Sequence, residues 1–403
     1  MPTTVSQKGS SERRKSGYIP SLDGWRAVAI LGVLWVHDLK GAIAGHSLVP
    51  YQNIGEYGVH LFFAISGILI TTRILEEESL CGFFDIKKFY IRRIFRIQPA
   101  AWVYLALIGF LMASGVVTTT LWRHWFAALG MYENFIYNGS AHDYQGFFVG
   151  HFWTLAVEEH FYILLSLFLL LVKRYRLAAL VGIFVGLMAL RMYAESHGYL
   201  NEVTVRRTYY ELPGLVYGAC FAVALRIDSF RLWAERFLTP WIVFTVTGGF
   251  IVGREVWHYV LAPSAGDFHP TRLLSAIDFL SSYLFAVWIV ATMLHGKSLS
   301  TRILEWQPLR WVGRLSYSLY LWHALFFFRL SPKVVVTLPA LAALSGRPAK
   351  YLASFAMAAI SYYFVEKPFL RIGHRLAPPA TPGRPELAET TGEPAVVYSG
   401  GRS

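Results

Sequence analysis

The chain has 403 residues, of which 55% are hydrophobic and 15% are charged, and its mean hydropathy is +0.42. Soluble domains carry about 25% charged residues, so this composition excludes an ordinary soluble enzyme and indicates an integral membrane protein. The formal net charge of +12 would suggest a nucleic-acid partner in a soluble protein, but the basic residues lie mainly in short connections between apolar spans, so we expect a lipid bilayer around the chain and no bound nucleic acid.

Apolar segments follow one another along most of the chain and predict an all-α, polytopic membrane bundle of about ten transmembrane helices. The predicted spans are 21–43, 55–72, 99–117, 150–172, 177–194, 209–225, 239–256, 273–294, 311–330 and 350–366. Every second connection is rich in lysine and arginine, which predicts that both termini lie in the cytoplasm. We expect residues 1–17 to be a disordered N-terminus, 18–376 the membrane domain and 377–403 a disordered tail.

The first span carries Asp23 and Arg26 near its start and His37 near its end, with ten apolar or small residues between Arg26 and His37. Eleven helical steps separate Arg26 from His37, so the two side chains share one face and stand about 16 Å apart along the axis. Such residues normally face a protein interior or a wet cavity when they lie at membrane depth. This pattern predicts a buried polar track, although Arg26 and His37 could instead reach the two headgroup layers.

The fourth span begins HFWTLAVEEHFY and places His151, Glu158 and Tyr162 on one helical face. By helix rise, Glu158 reaches a depth comparable to that of His37. A carboxylate that meets an imidazole in a desolvated site can orient the ring and raise its basicity, which is the arrangement needed for general base catalysis. The alternative is that Glu158 is only a structural partner for an arginine in the bundle.

A basic cluster, FYIRRIFRIQP, places Arg93 and Arg96 three residues apart on one side of a helix start or a surface helix. Arginine forks bind phosphates, and acyl-CoA presents several phosphates. A basic connection is also what membrane topology alone requires, so the pattern does not decide between these explanations. His323 lies in the middle of the ninth span, where a histidine is commonly a hydrogen-bonded packing residue.

The outer connection over 118–149 is rich in aromatic residues and is expected to lie along the membrane surface or over a cavity mouth. We find no P-loop, no metal-ligand spacing, no nucleophile elbow and no dinucleotide fingerprint, so no bound cofactor or metal is predicted. Cys81 and Cys220 indicate neither a disulfide framework nor a metal cluster.

Taken together, residues 18–375 resemble the membrane-bound acyltransferase-3 family of bacterial O-acyltransferases. The resemblance is carried by six motifs in the same order: LDGWRAVAILGVLWVH, GVHLFFAISGILIT, FYIRRIFRIQP, FWTLAVEEHFYIL, GRLSYSLYLWH and VEKPF. It implies about ten helices around a central pore in the cytoplasmic membrane, and transfer of an acyl group, usually acetyl, from acyl-CoA to a hydroxyl of a carbohydrate or secondary metabolite. The family's functional positions correspond to Arg26, His37, Arg93, Arg96 and Glu158.

These observations and the resemblance predict that acyl-CoA binds Arg93 and Arg96 and that its thioester reaches past Arg26. His37, oriented by Glu158, would then deprotonate the acceptor hydroxyl. The residues expected to support this site are Asp23, His151, Tyr162 and His323. An acyl-imidazole on His37 is an equally open route. The rival hypothesis is a non-catalytic transporter that uses the same polar track, and a third is a structural membrane partner.

Overall fold

The structure is a computed structural model that describes residues 18–42, 49–136, 148–201, 204–256, 271–327 and 338–379. Helices form nearly all of this part of the chain, which confirms the all-α class. The predicted N-terminus 1–17 and most of the predicted tail 377–403 lie outside the described residues.

The helices are numbered here in chain order. They are α1 (Pro20–Ala42), α2 (Val49–Cys81), α3 (Ile86–Ala113), α4 (Trp122–Leu129), α5 (Glu133–Ile136), α6 (Phe152–Leu171), α7 (Arg176–Ser196), α8 (Thr208–Ala224), α9 (Asp228–Phe237), α10 (Pro240–Val256), α11 (Thr271–Leu294), α12 (Leu299–Leu304), α13 (Gln307–Phe327), α14 (Pro339–Leu344), α15 (Ala349–Ser361) and α16 (Lys367–Leu376). A 3₁₀ turn (Thr204–Arg206) precedes α8, and a π-helical turn (Tyr362–Glu366) joins α15 to α16.

Each predicted apolar span corresponds to one of these helices. In the part of the chain that the structure describes, four helices are long and apolar enough to cross a membrane. The number rises to five if α9 and α10, which meet at an angle of 73°, together form one broken span. The protein is therefore a helical membrane protein, and the count of ten crossings stays a prediction.

The largest difference from the predicted boundaries is in α3, which begins thirteen residues before the predicted start of its span. Asp85 caps its N-terminus and accepts a hydrogen bond from the backbone N–H of Lys88 at 2.9 Å. Its basic residues lower the local hydropathy and hide this first part of the helix from a search for apolar spans. Arg93 and Arg96 consequently lie on a continuous helix, which also contains Pro99.

Helix α1 lies at the centre of the bundle and packs mainly against α2 and α13. The crossing of α1 and α13 is a direct backbone contact, because a Cβ added to Gly313 would lie 1.8 Å from the carbonyl oxygen of Asp23. Helices α2 and α8 approach equally closely at Gly67, where an added Cβ would lie 2.1 Å from the carbonyl oxygen of Leu215. These glycines bring the polar residues beside them to the bundle interior.

The aromatic connection after α3 folds into α4 and α5. Helix α4 exposes Trp122 and Phe126 and buries His124, whose Nδ1 lies 2.7 Å from Oε1 of Glu133. Trp125 donates a hydrogen bond from its indole to the carbonyl oxygen of Leu105 at 2.8 Å and so ties the segment to α3. This amphipathic arrangement agrees with the expected surface position. Residues 137–147 of the connection lie outside the described residues.

Candidate active site

A cavity lies between α1, α2, α3, α6 and α13, and the space within it, including the part open to solvent, is about 770 Å³. Its polar lining residues are Arg26, Ser66, Arg93, Arg96, Thr154, Glu158, Tyr162, Ser316, Tyr317 and Tyr320. The structure thus brings together four of the five residues that carried the family resemblance, from three helices that are distant in sequence.

Glu158 lies in this cavity and is held by two hydroxyl groups. Ser66 donates to its Oε1 at 3.1 Å, and Tyr162, one turn further along α6, donates to its Oε2 at 2.7 Å. The predicted face of α6 is therefore correct for Glu158 and Tyr162. The orientation of the His37 imidazole by Glu158 stays a prediction.

Three guanidinium groups surround this carboxylate. The guanidinium of Arg93 lies over the ring of Tyr162, 5.3 Å from its centroid, and 5.6 Å from the centroid of Phe89. Arg96 follows one turn later on α3. Arg26 enters from α1, and the charge on the lining is net positive, which suits an anionic ligand.

Asp23 fixes the side chain of Arg26 at the edge of the cavity. Its Oδ1 lies 3.2 Å from Nη1 of Arg26, and its side chain is 5% exposed. The hydroxyl of Tyr18 donates to the other oxygen of Asp23. Burial and the neighbouring carboxylate raise the pKa of Tyr18, so this hydroxyl stays protonated and keeps donating. Asp23 is thus a supporting residue for Arg26, as the sequence suggested.

His37 belongs to a second group of residues, the histidine cluster, formed by His37, His151 and His323. The ring centroids of His37 and His323 are 4.9 Å apart, and those of His323 and His151 are 5.6 Å apart. His151 directly precedes α6 and turns towards this cluster, so it does not continue the face of Glu158 and Tyr162. His37 is not among the residues that line the cavity.

Tyr320 belongs to both groups, because it lines the cavity and also packs against His151 and His323. Its hydroxyl donates to the carbonyl oxygen of His151 at 2.9 Å and accepts from the hydroxyl of Thr154 at 2.6 Å. Thr154 and Tyr320 therefore form the side of the cavity that faces the histidine cluster.

Several functional candidates were missed from the sequence. Ser66, Thr154 and Tyr320 are single polar residues in apolar spans, and an intramembrane polar residue was the signal that could have marked them. Glu366, in the VEKPF motif, is buried and accepts a hydrogen bond from Ser318 at 3.0 Å. It lies in the π-helical turn, and such turns are frequent at functional sites.

Within the described residues, no group of three or more histidine, cysteine or acidic side chains is arranged to hold a metal ion. Cys81 and Cys220 are free thiols.

Apolar helices that enclose a chamber lined with arginines, a carboxylate and hydroxyls define a membrane protein with a buried polar site. The chain belongs to the acyltransferase-3 family, because residues 19–366 match the family described as an acyltransferase domain. This membership favours the expected enzyme over the non-catalytic transporter and the structural partner.

Curated relatives carry names of the same kind. A Staphylococcus aureus (strain COL) protein named Putative O-acetyltransferase is 29% identical over 401 residues, which cover 91% of this chain and 59% of the relative. Putative peptidoglycan O-acetyltransferase YrhL of Bacillus subtilis (strain 168) is 28% identical over 89% of this chain and 56% of its own length. Peptidoglycan O-acetyltransferase OatA of Listeria monocytogenes is 26% identical over 88% of this chain and 56% of its own.

The chain thus spans less than two thirds of the length of these relatives. No solved structure matches it.

Proposed function

We propose that this protein is an integral-membrane O-acyltransferase that moves an acyl group, most simply acetyl, from acyl-CoA to a hydroxyl group of a glycan. The observation that carries the proposal is the cavity, where Arg26, Arg93, Arg96 and Glu158 converge. A net positive chamber suits a phosphate-bearing thioester. The names of the relatives favour a peptidoglycan-type acceptor over a secondary metabolite.

The donor enters from the cytoplasm in this proposal. The alternation of basic connections supports ten membrane crossings, with both termini on the cytoplasmic side of the inner membrane. In that topology α3 starts at the cytoplasmic face, and the first cavity arginines that a donor meets are Arg93 and Arg96. Their guanidinium groups bind the phosphates of acyl-CoA, and the pantetheine arm extends along the cavity past Arg26.

The acceptor hydroxyl reacts at the histidine cluster. His37 takes the proton of the hydroxyl, and the resulting oxygen attacks the thioester carbonyl. The C–S bond breaks, the acyl group passes to the acceptor oxygen, and the CoA thiolate leaves and takes up the proton. Arg26 stabilises either the pantetheine arm or the oxyanion that develops on the carbonyl. The alternative route passes through an acyl-imidazole on His37. The imidazole nitrogen attacks the thioester carbonyl, the C–S bond breaks and the CoA thiolate leaves. The acceptor oxygen then attacks the acyl carbon, the C–N bond breaks, and the proton of the acceptor hydroxyl passes to the released imidazole.

Three residues of the cavity acquire specific roles in this scheme. The acyl group has to pass Thr154 and Tyr320, which face the histidine cluster. Glu158 offsets part of the charge of the three arginines and, through Ser66 and Tyr162, fixes the cavity wall.

The decisive experiment compares His37→Ala with wild type in membrane vesicles supplied with acetyl-CoA and glycan acceptor. We expect free CoA thiol and acetylated glycan to fall to background in the variant, with membrane insertion unchanged. The control is His160→Ala, which alters a histidine of α6 that is hydrogen-bonded to Thr208 at 2.7 Å. Acetylated product at the wild-type rate in His37→Ala would refute the assignment of His37 as the base.

Mass spectrometry of glycans from cells with and without this chain tests the acceptor. We expect an increment of one acetyl group per modified sugar only when the chain is present. Glycans that are identical in the two strains, together with an acetylated small molecule, would overturn the glycan acceptor but leave acyl transfer intact.

A further inference from the structure

The histidine cluster joins three parts of the chain that are far apart in sequence. His37 comes from α1, His151 directly precedes α6, and His323 comes from α13. His151 and His323 are buried, and His37 is partly exposed. The rings of His37 and His323 pack against each other in a tilted arrangement, with an interplanar angle of 32°.

The orientation of His323 is set by α13 itself. Its Nδ1 lies 2.7 Å from the carbonyl oxygen of Tyr320. A carbonyl oxygen only accepts hydrogen bonds, so Nδ1 carries the proton and Nε2 is the nitrogen with the basic lone pair. Rotation of the ring would break this bond in a fully buried environment, which is costly. His323 therefore presents a fixed tautomer.

Aromatic rings enclose the rest of the cluster. Tyr104 packs edge-on against His151, with centroids 5.5 Å apart, and against Trp322 at 5.3 Å. The hydroxyl of Tyr320 is bonded to the backbone of His151. The buried imidazoles thus have little freedom to move, and they form a rigid support behind His37.

The end of α1 is fixed independently. Asp38, the residue after His37, forms ion pairs with Arg347, at 2.7 Å, and with Lys350. These pairs hold the backbone at this point, and the ring of His323 packs against the imidazole of His37, with the centroids 4.9 Å apart.

We propose that His323 is a positioning residue for His37, which holds the catalytic imidazole in the orientation required to take the acceptor proton. This inference rests on the proposed function, because it assigns a role within the same reaction. It adds the imidazole of His323 as a group that orients the base. A misplacement of a reacting group by about 1 Å can cost about 100-fold in rate.

The test compares two substitutions of the same residue in membrane vesicles. His323→Leu keeps most of the side-chain volume and removes the polar ring, whereas His323→Gln restores a polar amide near the position of Nε2. We expect kcat to fall by up to about 100-fold in the leucine variant and the KM for acetyl-CoA to stay within about twofold. The glutamine variant should recover a measurable part of kcat. The donor KM is unaffected because Arg93 and Arg96 lie in the cavity and not in the histidine cluster.

A purely structural role predicts a different pattern. In that case both variants would lose thermal stability and activity in parallel, with no recovery by glutamine. Such a result would overturn the proposal, as would a leucine variant with a kcat within twofold of wild type. The matched control is His160→Leu, in which we expect an unchanged kcat.

The role of His37 as base and the role of His323 as positioning residue are tested separately. If His37→Ala is inactive and His323→Leu is fully active, the positioning role is wrong and the general base stands. If His37→Ala retains wild-type activity, the base assignment itself is wrong, and with it the role of His323.

Discussion

Substitution of Gly67 by alanine should separate two helices that form the wall of the cavity. The added Cβ would lie 2.1 Å from the carbonyl oxygen of Leu215 and 3.2 Å from the Cα of Gly218, whereas ordinary contact begins at 3.4 Å. The obstacle is backbone, so α2 and α8 must move apart by more than 1 Å. Overpacking of this kind costs roughly 3 kcal/mol, and the higher helix propensity of alanine returns about 1 kcal/mol, which leaves a net loss of about 2 kcal/mol.

Thermal unfolding of the detergent-solubilised protein measures this loss. Gly182→Ala is the matched control, because an added Cβ at Gly182, in the interior of α7, meets nothing within 4 Å. We expect Gly67→Ala to lower the Tm by several degrees and Gly182→Ala to leave it unchanged or raise it slightly. Acyl transfer should also fall in Gly67→Ala, because the neighbouring Ser66 would move away from Glu158. Equal Tm values for the two variants would refute the close approach of α2 and α8.

Three further outcomes are expected. Arg93→Gln should raise the KM for acetyl-CoA by about 10- to 100-fold, as expected for the loss of a charge-assisted phosphate contact, and Arg93→Lys should recover only part of this because lysine cannot stack its charge flat on Tyr162. Asp38→Asn should destabilise the fold by about 3 kcal/mol in thermal unfolding, since it leaves the buried ammonium of Lys350 without its carboxylate; a Tm within one degree of wild type would contradict this. Burial raises the pKa of Glu133 from 4.5 to about 7, so the folded state holds this proton more tightly, and its contribution to stability is complete below about pH 4.5 and is lost as the pH rises to about 7. Glu133→Gln should remove that part of the pH dependence of Tm. An unchanged profile of Tm against pH would exclude a contribution of Glu133 to the pH dependence of stability.

The positions of the helices were predictable because hydrophobic runs report burial in either lipid or protein. The predicted spans each coincide with a helix. The start of α3 was not predictable in this way. Its arginines face a polar cavity, but in a hydropathy pattern a stretch of arginines has the low hydropathy of a loop between two spans. The contact of Gly67 with Leu215 was equally hidden, because no local pattern says which glycine lies at a crossing.

The sequence identified several residues that line the candidate site, but it predicted only part of how they are arranged. Helical periodicity identified the shared face of Glu158 and Tyr162, and their hydrogen bond confirms it. Depth along the helix axis placed Glu158 level with His37, but depth gives no information on rotation about the axis or on which helices are neighbours. The pairing of His37 with His323 depends on the packing of α1 against α13, which only the three-dimensional structure shows.

Tyr320 lines the charged cavity and also packs against the histidine cluster, so it lies between two regions with different chemistries. One is rich in guanidinium groups, and the other in imidazole and aromatic rings. In the proposed function the donor binds in the first region and the acceptor reacts at the second, so natural or engineered changes of acceptor can accumulate in the second region without loss of donor binding. On that proposal, a single scaffold can serve many acceptors while it draws on one common metabolic supply of activated acyl groups.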